Sequence, residues 1–259
     1  MLLFISIIFI VLLLIYYWYN KQQSTNKNIF VYKYTAIIVE PREHKALNYV
    51  LTNFYNNLSD EWQIIVFHGN NNIDYVKNII NNNNFNTTRI KLINLKVNNL
   101  TIPEYCKLFY NKWLYDNIPT ETFLVFQTDT LICPRHKHII NDFLKYDYVG
   151  APWGTDMLKD IINVYGGKDL VGNGGLSLRK KSKMLDILNK YSTRHKDGWL
   201  INEDVFFSVH AKNKPTAEEA KNFSIESVYN DKAFGVHKPY KTLKLDWFPE
   251  LKILEELND

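Results

Sequence analysis

Short apolar segments alternate with amphipathic segments along residues 35–126, and this alternation restricts the possible folds more than any other feature. The apolar segments have the length of strands, and the segments between them have the length and periodicity of helices. Such an alternation predicts an α/β fold, with a mostly parallel sheet flanked by helices. The predicted strands are residues 35–39, 63–67, 90–95 and 123–126, and the predicted helices are residues 44–55, 73–80 and 103–115.

A separate apolar run forms the beginning of the sequence. Residues 2–19 are apolar or aromatic apart from Ser6, and the run ends in the aromatic cluster of residues 16–19. A membrane-spanning helix needs about 17–25 apolar residues, and aromatic side chains favour the headgroup zone. A cleaved signal peptide would carry a basic start and a small-residue cleavage site, and this run has neither. We therefore predict an uncleaved, single-pass transmembrane helix over residues 1–19.

Three further regions are predicted after this anchor. A polar linker covers residues 20–33, a large folded domain covers residues 34–246, and a C-terminal tail covers residues 247–259.

Composition and charge exclude several classes of protein. The hydrophobic fraction of 46% excludes a largely disordered chain. The net charge of +4 is spread along the sequence without a basic stripe, so we predict no nucleic-acid partner. The two cysteines, Cys106 and Cys133, form no CxxC pair, which argues against a disulfide framework or a cysteine zinc site.

Candidate binding residues follow the predicted strands. In parallel α/β sheets, ligands bind beyond the carboxyl ends of the strands. Glu40 and Arg42 follow the first strand, and Gln127 and Asp129 follow the fourth. A carboxylate at that edge suits Mg²⁺ or Mn²⁺, because these ions prefer carboxylate oxygens and often bridge a protein to substrate phosphates. On position alone, an aspartate that starts a turn is the simpler interpretation of Asp129.

A glycine-rich segment at residues 172–175 contains Gly174 and Gly175. Glycine lets the backbone approach a ligand closely or adopt a positive φ angle, but for this segment alone a tight turn is the simpler interpretation. The segment is neither a Walker A loop nor a GxGxxG motif, so it indicates neither ATP nor a dinucleotide. The basic residues after it, Arg179 and Lys180 among them, are predicted to form the solvated start of a helix.

Two acids and a late histidine are the remaining candidates. Glu203 and Asp204 precede an apolar segment and are predicted to open a helix, with Asn202 near its N-cap. Acids are ordinary residues in the first turn of a helix, and the functional alternative is a general base. His237 follows a glycine and a valine, and imidazole is a common metal ligand although a lone histidine is usually structural.

Taken in chain order, these elements resemble the GT-A class of nucleotide-sugar glycosyltransferases. That class has a DxD metal motif after a central strand, a glycine-containing loop, an xED motif and a late histidine. The segments FQTDT, DYVGAPW, VGNGGLSLR, NEDVFF and FGVHK further resemble a poorly characterised glycosyltransferase-like family of microbes and large DNA viruses. The resemblance covers residues 34–240 and implies a GT-A-like, Rossmann-type sheet in the domain of residues 34–246.

The resemblance implies a metal site and a donor site. Asp129 would be the metal-binding carboxylate and His237 a further ligand, with Mn²⁺ or Mg²⁺ as cofactor. Gln127 replaces the first acid of DxD, which puts the metal affinity in doubt, although its amide could bind the donor ribose. The remaining residues implied in donor binding are Glu40 and Arg42 near the nucleotide base, Gly174 and Gly175 in the glycine loop, and Lys238 near the leaving group.

The resemblance also implies a reaction. Asp204 matches the acid that acts as general base in inverting members, and Glu203 would assist in acceptor or sugar binding. The expected enzyme is a metal-dependent, hexosyltransferase-like glycosyltransferase that moves a sugar from a UDP-linked donor to a hydroxyl of a glycan, protein or lipid.

Two alternatives remain open at this point. The incomplete DxD motif is compatible with a catalytically inactive, membrane-tethered binding or structural protein of the same fold. The second alternative is a nucleotidyltransferase, an enzyme that makes the sugar nucleotide. Such an enzyme would need a richer phosphate-binding loop than residues 40–42 provide.

The sequence does not determine on which side of the membrane the domain lies. The lysines after the apolar run place it in the cytosol by the positive-inside rule, whereas the family resemblance implies the lumen.

Overall fold

The structure is a computed structural model that describes residues 16, 31–166, 170–238 and 250–259. The chain divides into a unit of residues 1–31, of which only Tyr16 and Val31 are described, and a unit of residues 32–259. The predicted anchor and most of the linker therefore lie outside the described residues. Within the described part, no helix is both long and apolar enough to cross a membrane.

The elements of the second unit alternate as the sequence predicts. The strands are β1 (Tyr34–Glu40), β2 (Trp62–His68), β3 (Ile90–Asn94), β4 (Thr122–Phe126), β5 (Thr130–Ile132), β6 (Tyr148–Pro152), β7 (Val171–Lys180), β8 (Ser224–Ile225) and β9 (Gly235–His237). The helices are α1 (Leu47–Asn57), α2 (Ile73–Asn82), α3 (Ile102–Phe109), α4 (Lys112–Asp116), α5 (Ile140–Phe143), α6 (Thr155–Tyr165), α7 (Lys181–Lys190), α8 (Glu203–His210), α9 (Ala217–Ala220) and α10 (Glu250–Asn258). A 3₁₀ helix, Pro134–Ile139, precedes α5.

The central sheet has the strand order β3-β2-β1-β4-β7-β6. Strands β1 to β4 pair in parallel, whereas β7 runs antiparallel to both β4 and β6. This mixed, mostly parallel sheet with flanking helices confirms the predicted α/β fold. Because β7 runs against β4, the first residues of β7 lie at the carboxyl end of β4, where ligands are expected.

Alternation along the strands gives the sheet an apolar cluster on each face. Ala36 and Ile38 of β1 belong to one buried cluster, and Ile37 and Val39 belong to the other. Successive side chains of a strand point to opposite faces, so a fully apolar strand is covered on both sides. The first cluster includes the buried face of α1, with Leu47, Val50, Leu51 and Phe54 at helical spacing.

A second, three-stranded sheet has the order β5-β9-β8. Strand β5 pairs antiparallel with β9, which places Thr130 opposite His237. Strand β8 pairs in parallel with β9, which places Ile225 opposite Val236. This small sheet therefore brings together three points that are distant in sequence, namely the start of β5, the end of β8 and the end of β9.

The predicted helix of residues 103–115 is divided into α3 and α4. The side chain of Asn111 accepts a hydrogen bond from the backbone N–H of Trp113, which makes Asn111 the N-cap of a new helix.

Helix α10 lies in the predicted C-terminal tail and packs against other elements of the second unit. Leu251 and Leu254 are buried, and the amide of Asn258 donates a 3.0 Å hydrogen bond to the carbonyl oxygen of Thr128. The end of the chain thus contacts the turn that precedes Asp129.

Candidate functional site

A cleft of about 550 Å³ lies at the carboxyl ends of β1 and β4. The small sheet and the start of α8 complete its walls. Every residue predicted from the sequence to bind or act lines this one cleft: Glu40, Arg42, Gln127, Asp129, Gly174, Gly175, Glu203, Asp204, His237 and Lys238. The structure therefore brings all these candidates together in one cleft.

Asp129 and His237 face each other on one side of the cleft. The Oδ1 atom of Asp129 lies 3.4 Å from Nε2 of His237, which is within ion-pair range. Both atoms are buried, and neither has a well-formed hydrogen bond to any described residue. The backbone N–H of Lys238 donates to the Asp129 carbonyl oxygen at 3.1 Å, so β9 fixes the relative positions of the two residues.

The charges around His237 shift its acid–base equilibrium. Burial disfavours the imidazolium, but the carboxylates of Asp129 and Glu226 outweigh this effect and raise the pKa of His237 to about 9. Burial likewise opposes the ionisation of Asp129, but His237 and Lys238 together hold the pKa of Asp129 below its usual value. The pair therefore consists of a carboxylate and an imidazolium at neutral pH when no other cation is present.

These two residues fit a divalent cation. The carboxylate oxygen of Asp129 and the imidazole nitrogen of His237 are buried and lack good hydrogen bonds, so both atoms are suited to coordinate a metal ion. The charge of the ion would replace that of the imidazolium beside the carboxylate. Among the described residues, no group of three His, Cys, Asp or Glu side chains is arranged to hold a metal. Mg²⁺ sites commonly combine one or two protein ligands with substrate phosphates.

Glu226 is a residue of this site that the sequence did not indicate. It follows directly after β8 and lines the cleft, with Oε1 3.6 Å from Nδ1 of His237. No motif surrounds it, and a two-residue strand leaves almost no periodic signal in the sequence. Only the pairing of β8 with β9 brings it next to His237.

Asp204 lies in the first turn of α8 and lines the same cleft. One carboxylate oxygen, Oδ1, accepts a 2.7 Å hydrogen bond from the backbone N–H of Val205. Burial, followed by the negative charge of Glu203, raises the pKa of Asp204 to about 6. A carboxylate with a pKa near 6 is suited to accept a proton at neutral pH.

Glu203 begins α8 as predicted, but its carboxylate is bound by a buried arginine. Arg179 approaches both oxygens of Glu203, with N–O distances of 2.6 and 3.1 Å, and its side chain is 0% exposed. Phe109, Tyr148 and Phe207 surround the guanidinium group at 4.8–5.6 Å. The prediction of a solvated Arg179 is therefore wrong, because this residue points inward from β7. The role of Glu203 in sugar or acceptor binding stays a prediction.

The glycine-rich segment is part of strand β7 and is not a tight turn. None of its glycines has a positive φ angle, so these positions need glycine for its small size and not for its backbone freedom. A Cβ atom on Gly174 would lie 2.5 Å from a carboxylate oxygen of Glu203. A Cβ atom on Gly175 would lie 2.1 Å from Nε2 of His237. These glycines let the two sides of the cleft pack against β7.

We expect Gly175→Ala to displace the His237 imidazole and to lower the free energy of unfolding by about 1–3 kcal/mol, the usual cost of overpacking. Urea denaturation measures this loss. Gly154→Ala is the control, because its Cβ would lie 3.3 Å from the nearest atom, the Cβ of Ser227, which requires a smaller displacement and should cause a smaller loss of stability. Equal stabilities of the two variants would contradict this interpretation of Gly175.

Glu40 and Arg42 are bound to each other at the other end of the cleft. The guanidinium of Arg42 donates to both oxygens of Glu40 at 2.8 Å. The buried amide of Asn72 donates to the carbonyl oxygens of both residues, which fixes the loop after β1. Asn72 was not indicated by the sequence, because it acts only on the backbone.

Two comparisons of the sequence bear on the family. Residues 88–237 match the family described as "Protein of unknown function (DUF5672)", which is more than half of the 259 residues. The chain belongs to this family. Its description assigns no activity, and no curated protein matches the sequence.

Several solved structures share the fold of this DUF5672 protein. The galactosyltransferase LgtC, in complex with donor and acceptor sugar analogs, has a TM-score of 0.57 and 13% identity over 86% of this chain and 94% of LgtC. TarS 1-349 from S. aureus has a TM-score of 0.50 and 12% identity over 87% of this chain and 65% of that one. The mannosyltransferase PcManGT from Pyrobaculum calidifontis, in complex with GDP-Man and Mn²⁺, has a TM-score of 0.50 and 12% identity over 78% of this chain and 62% of that one.

The chain spans slightly less than two thirds of the last two proteins. At identities of 12–13%, this likeness shows a common fold. It supports the predicted GT-A-like architecture.

Proposed function

We propose that this protein is a metal-dependent glycosyltransferase that moves a sugar from a nucleotide-sugar donor to an acceptor hydroxyl. The observation that carries the proposal is the arrangement of one cleft. Asp129 and His237, which are suited to a cation, line this cleft together with Asp204, which is suited to accept a proton. The shared fold with sugar transferases supports the same conclusion.

The donor would lie along the carboxyl ends of β1 and β4. Glu40 and Arg42 would contact the nucleotide base, Gln127 the ribose, and the diphosphate would extend towards Asp129. Lys238, whose Nζ lies 4.0 Å from Oδ2 of Asp129, would neutralise part of the charge on the departing diphosphate. When bound by Asp129 and His237, Mn²⁺ or Mg²⁺ would supply further electrostatic stabilisation of that charge.

Asp204 would act at the acceptor. Its carboxylate accepts the proton of the acceptor hydroxyl while the oxygen attacks the sugar, and this single base favours inversion at the anomeric carbon. Glu203 would hold the first turn of α8 through its ion pair with Arg179 and so position Asp204.

We further propose that the donor is UDP-linked and that residues 1–19 anchor the enzyme in a membrane. The mass of the mature N terminus tests the anchor, and a chain that begins after residue 20 would exclude it.

The first test is ligand-dependent stability of the wild-type protein. UDP with Mn²⁺ should raise the unfolding free energy by about 2.7 kcal/mol at a hundredfold excess over Kd, and a chelator should remove most of this gain. Asp129→Asn should abolish the Mn²⁺-dependent part, because an amide replaces the anionic oxygen. Thermal melting curves with UDP, with UDP and Mn²⁺, and with added chelator measure these effects.

Asp74→Asn is the matched control, since its side chain is 87% exposed and lies on α2. A nucleotide effect that is unchanged by chelator would contradict the metal-dependent site. Binding of UDP-sugars by a protein that neither hydrolyses nor transfers them would instead favour the inactive binding protein.

A further inference from the structure

The position of Glu226 relative to His237 carries an inference that rests on the proposed function and extends its metal site. A histidine can coordinate a cation through Nε2 only if its ring is held in the right orientation and its proton lies on Nδ1. In many metal sites a carboxylate fulfils both conditions by accepting a hydrogen bond from the second ring nitrogen.

The imidazole of His237 lies between two carboxylates. Nε2 faces Asp129 at 3.4 Å, and Nδ1 faces Glu226 at 3.6 Å. The His237 side chain is 4% exposed, so solvent makes little contribution to its orientation. The separation of 3.6 Å exceeds the range of a hydrogen bond by a few tenths of an ångström, a distance that a small rotation of either side chain would close.

The backbone of the small sheet fixes this order. Thr130 pairs with His237, and Ile225 pairs with Val236, so the residues next to these pairs, Asp129 and Glu226, flank the end of β9. Gly175 leaves room for the ring beside β7, because a Cβ atom at this position would lie 2.1 Å from Nε2. The two ring nitrogens consequently have distinct environments, one towards Asp129 and the other towards Glu226.

We propose that Glu226 is a positioning residue that accepts a hydrogen bond from the Nδ1–H of His237 and thereby presents Nε2, together with Asp129, to a divalent cation. Glu226 does not itself need to contact the cation. This assignment agrees with the absence of a three-residue metal cluster among the described residues. Glu226 also gives the site a second carboxylate. Gln127, which stands in place of the first acid of the DxD motif, is neutral and does not supply one.

Binding of Mn²⁺ to the full-length protein tests this role. Electron paramagnetic resonance measures free Mn²⁺ in titrations of the protein alone and with UDP. We expect Glu226→Ala to weaken Mn²⁺ binding about 10- to 100-fold, the usual effect of losing such a carboxylate. Glu226→Gln should retain most of the affinity, because its amide oxygen can still accept a hydrogen bond from the Nδ1–H of His237. Metal-free melting temperatures of both variants are measured in parallel.

Two controls separate this inference from the proposed function. Glu218→Ala makes the same change in charge at an exposed side chain and should bind Mn²⁺ as the wild type does. His237→Ala should lose Mn²⁺ binding if the metal site exists. If the wild type itself shows no Mn²⁺ binding with or without UDP, the metal-dependent function and the role of Glu226 are both wrong.

Other outcomes concern Glu226 alone. Wild-type affinity in Glu226→Ala would overturn the positioning role while the metal site stands. An equal loss in Glu226→Gln and Glu226→Ala would also overturn it, because charge or direct coordination would then be what matters. A further outcome is that metal-free Glu226→Ala is unfolded, while Glu226→Gln is folded and binds Mn²⁺ with normal affinity. This outcome would support the positioning role only if His237→Ala folds and loses Mn²⁺ binding. If His237→Ala binds Mn²⁺ normally, the role is excluded.

Discussion

Replacing Asp204 by asparagine is expected to lower the rate of sugar transfer by about 10²- to 10⁴-fold, the usual effect of removing a positioned general base. The amide oxygen can still accept the hydrogen bond from Val205, so the start of α8 should be unchanged. Binding of the donor should remain nearly intact, because Asp204 lies on the acceptor side of the proposed reaction. Transfer assays, paired with calorimetric titration of UDP and Mn²⁺, measure both quantities.

The pH dependence of the wild type gives a second measure of the same residue. Transfer should increase as the pH rises through about 6, because Asp204 must be ionised to accept a proton. Since the folded state raises its pKa from 3.8, the fold holds the proton more tightly than the unfolded chain does. The stability that this proton contributes is fully present below pH 3.8 and is lost as the pH rises through 6.

The asparagine variant should therefore be more stable than the wild type above this range. A shift of this size corresponds to about 2–3 kcal/mol, and the partial exposure of Asp204 reduces the expected gain to about 1–2 kcal/mol. Asp160→Asn, at an exposed position of α6, is the control and should change neither rate nor stability. Transfer by Asp204→Asn at close to the wild-type rate would exclude the proposed base.

Replacing Arg179 by methionine is expected to destabilise the protein by about 3–5 kcal/mol. The substitution leaves the carboxylate of Glu203 buried without its partner, and an unpaired buried charge is far more costly than the pair itself is stabilising. It also removes the guanidinium that packs among Phe109, Tyr148 and Phe207. Urea denaturation at neutral pH measures the loss.

The double variant Arg179→Met/Glu203→Leu is the critical comparison. Replacing both members of a buried ion pair by apolar residues is often neutral, so the double variant should recover most of the lost stability. A double variant as unstable as the sum of the two single variants would show that the two side chains do not act as a pair.

The sequence by itself determined the order of strands and helices up to residue 126. Fully apolar segments such as residues 123–126 can be satisfied only by burial on both faces, so they predict a covered parallel sheet without reference to any distant residue. It also indicated residues at strand ends, because the carboxyl edge of such a sheet is an expected binding site whatever the loops contain. Asp129, Glu40 and Arg42 were predicted in this way, and all three line the cleft.

Tertiary structure alone decided what the side chains of the second half contact. Arg179 reads as part of a basic run, and only the antiparallel placement of β7 directs it inward to Glu203. The glycines of residues 172–175 suggest a turn in the sequence, yet they make room for side chains from distant parts of the chain. Gly174 makes room for Glu203, 29 residues later, and Gly175 makes room for His237, 62 residues later.

Glu226 is the clearest example of a residue whose contacts only the tertiary structure decided. Its partner His237 lies on another short strand, and the pairing of β8 with β9 depends on backbone hydrogen bonds that carry no side-chain pattern. Local sequence determines which segments can be strands or helices, because hydrophobicity and its periodicity are local properties. Which charged groups become neighbours depends on how those segments pair, and that is a property of the folded chain.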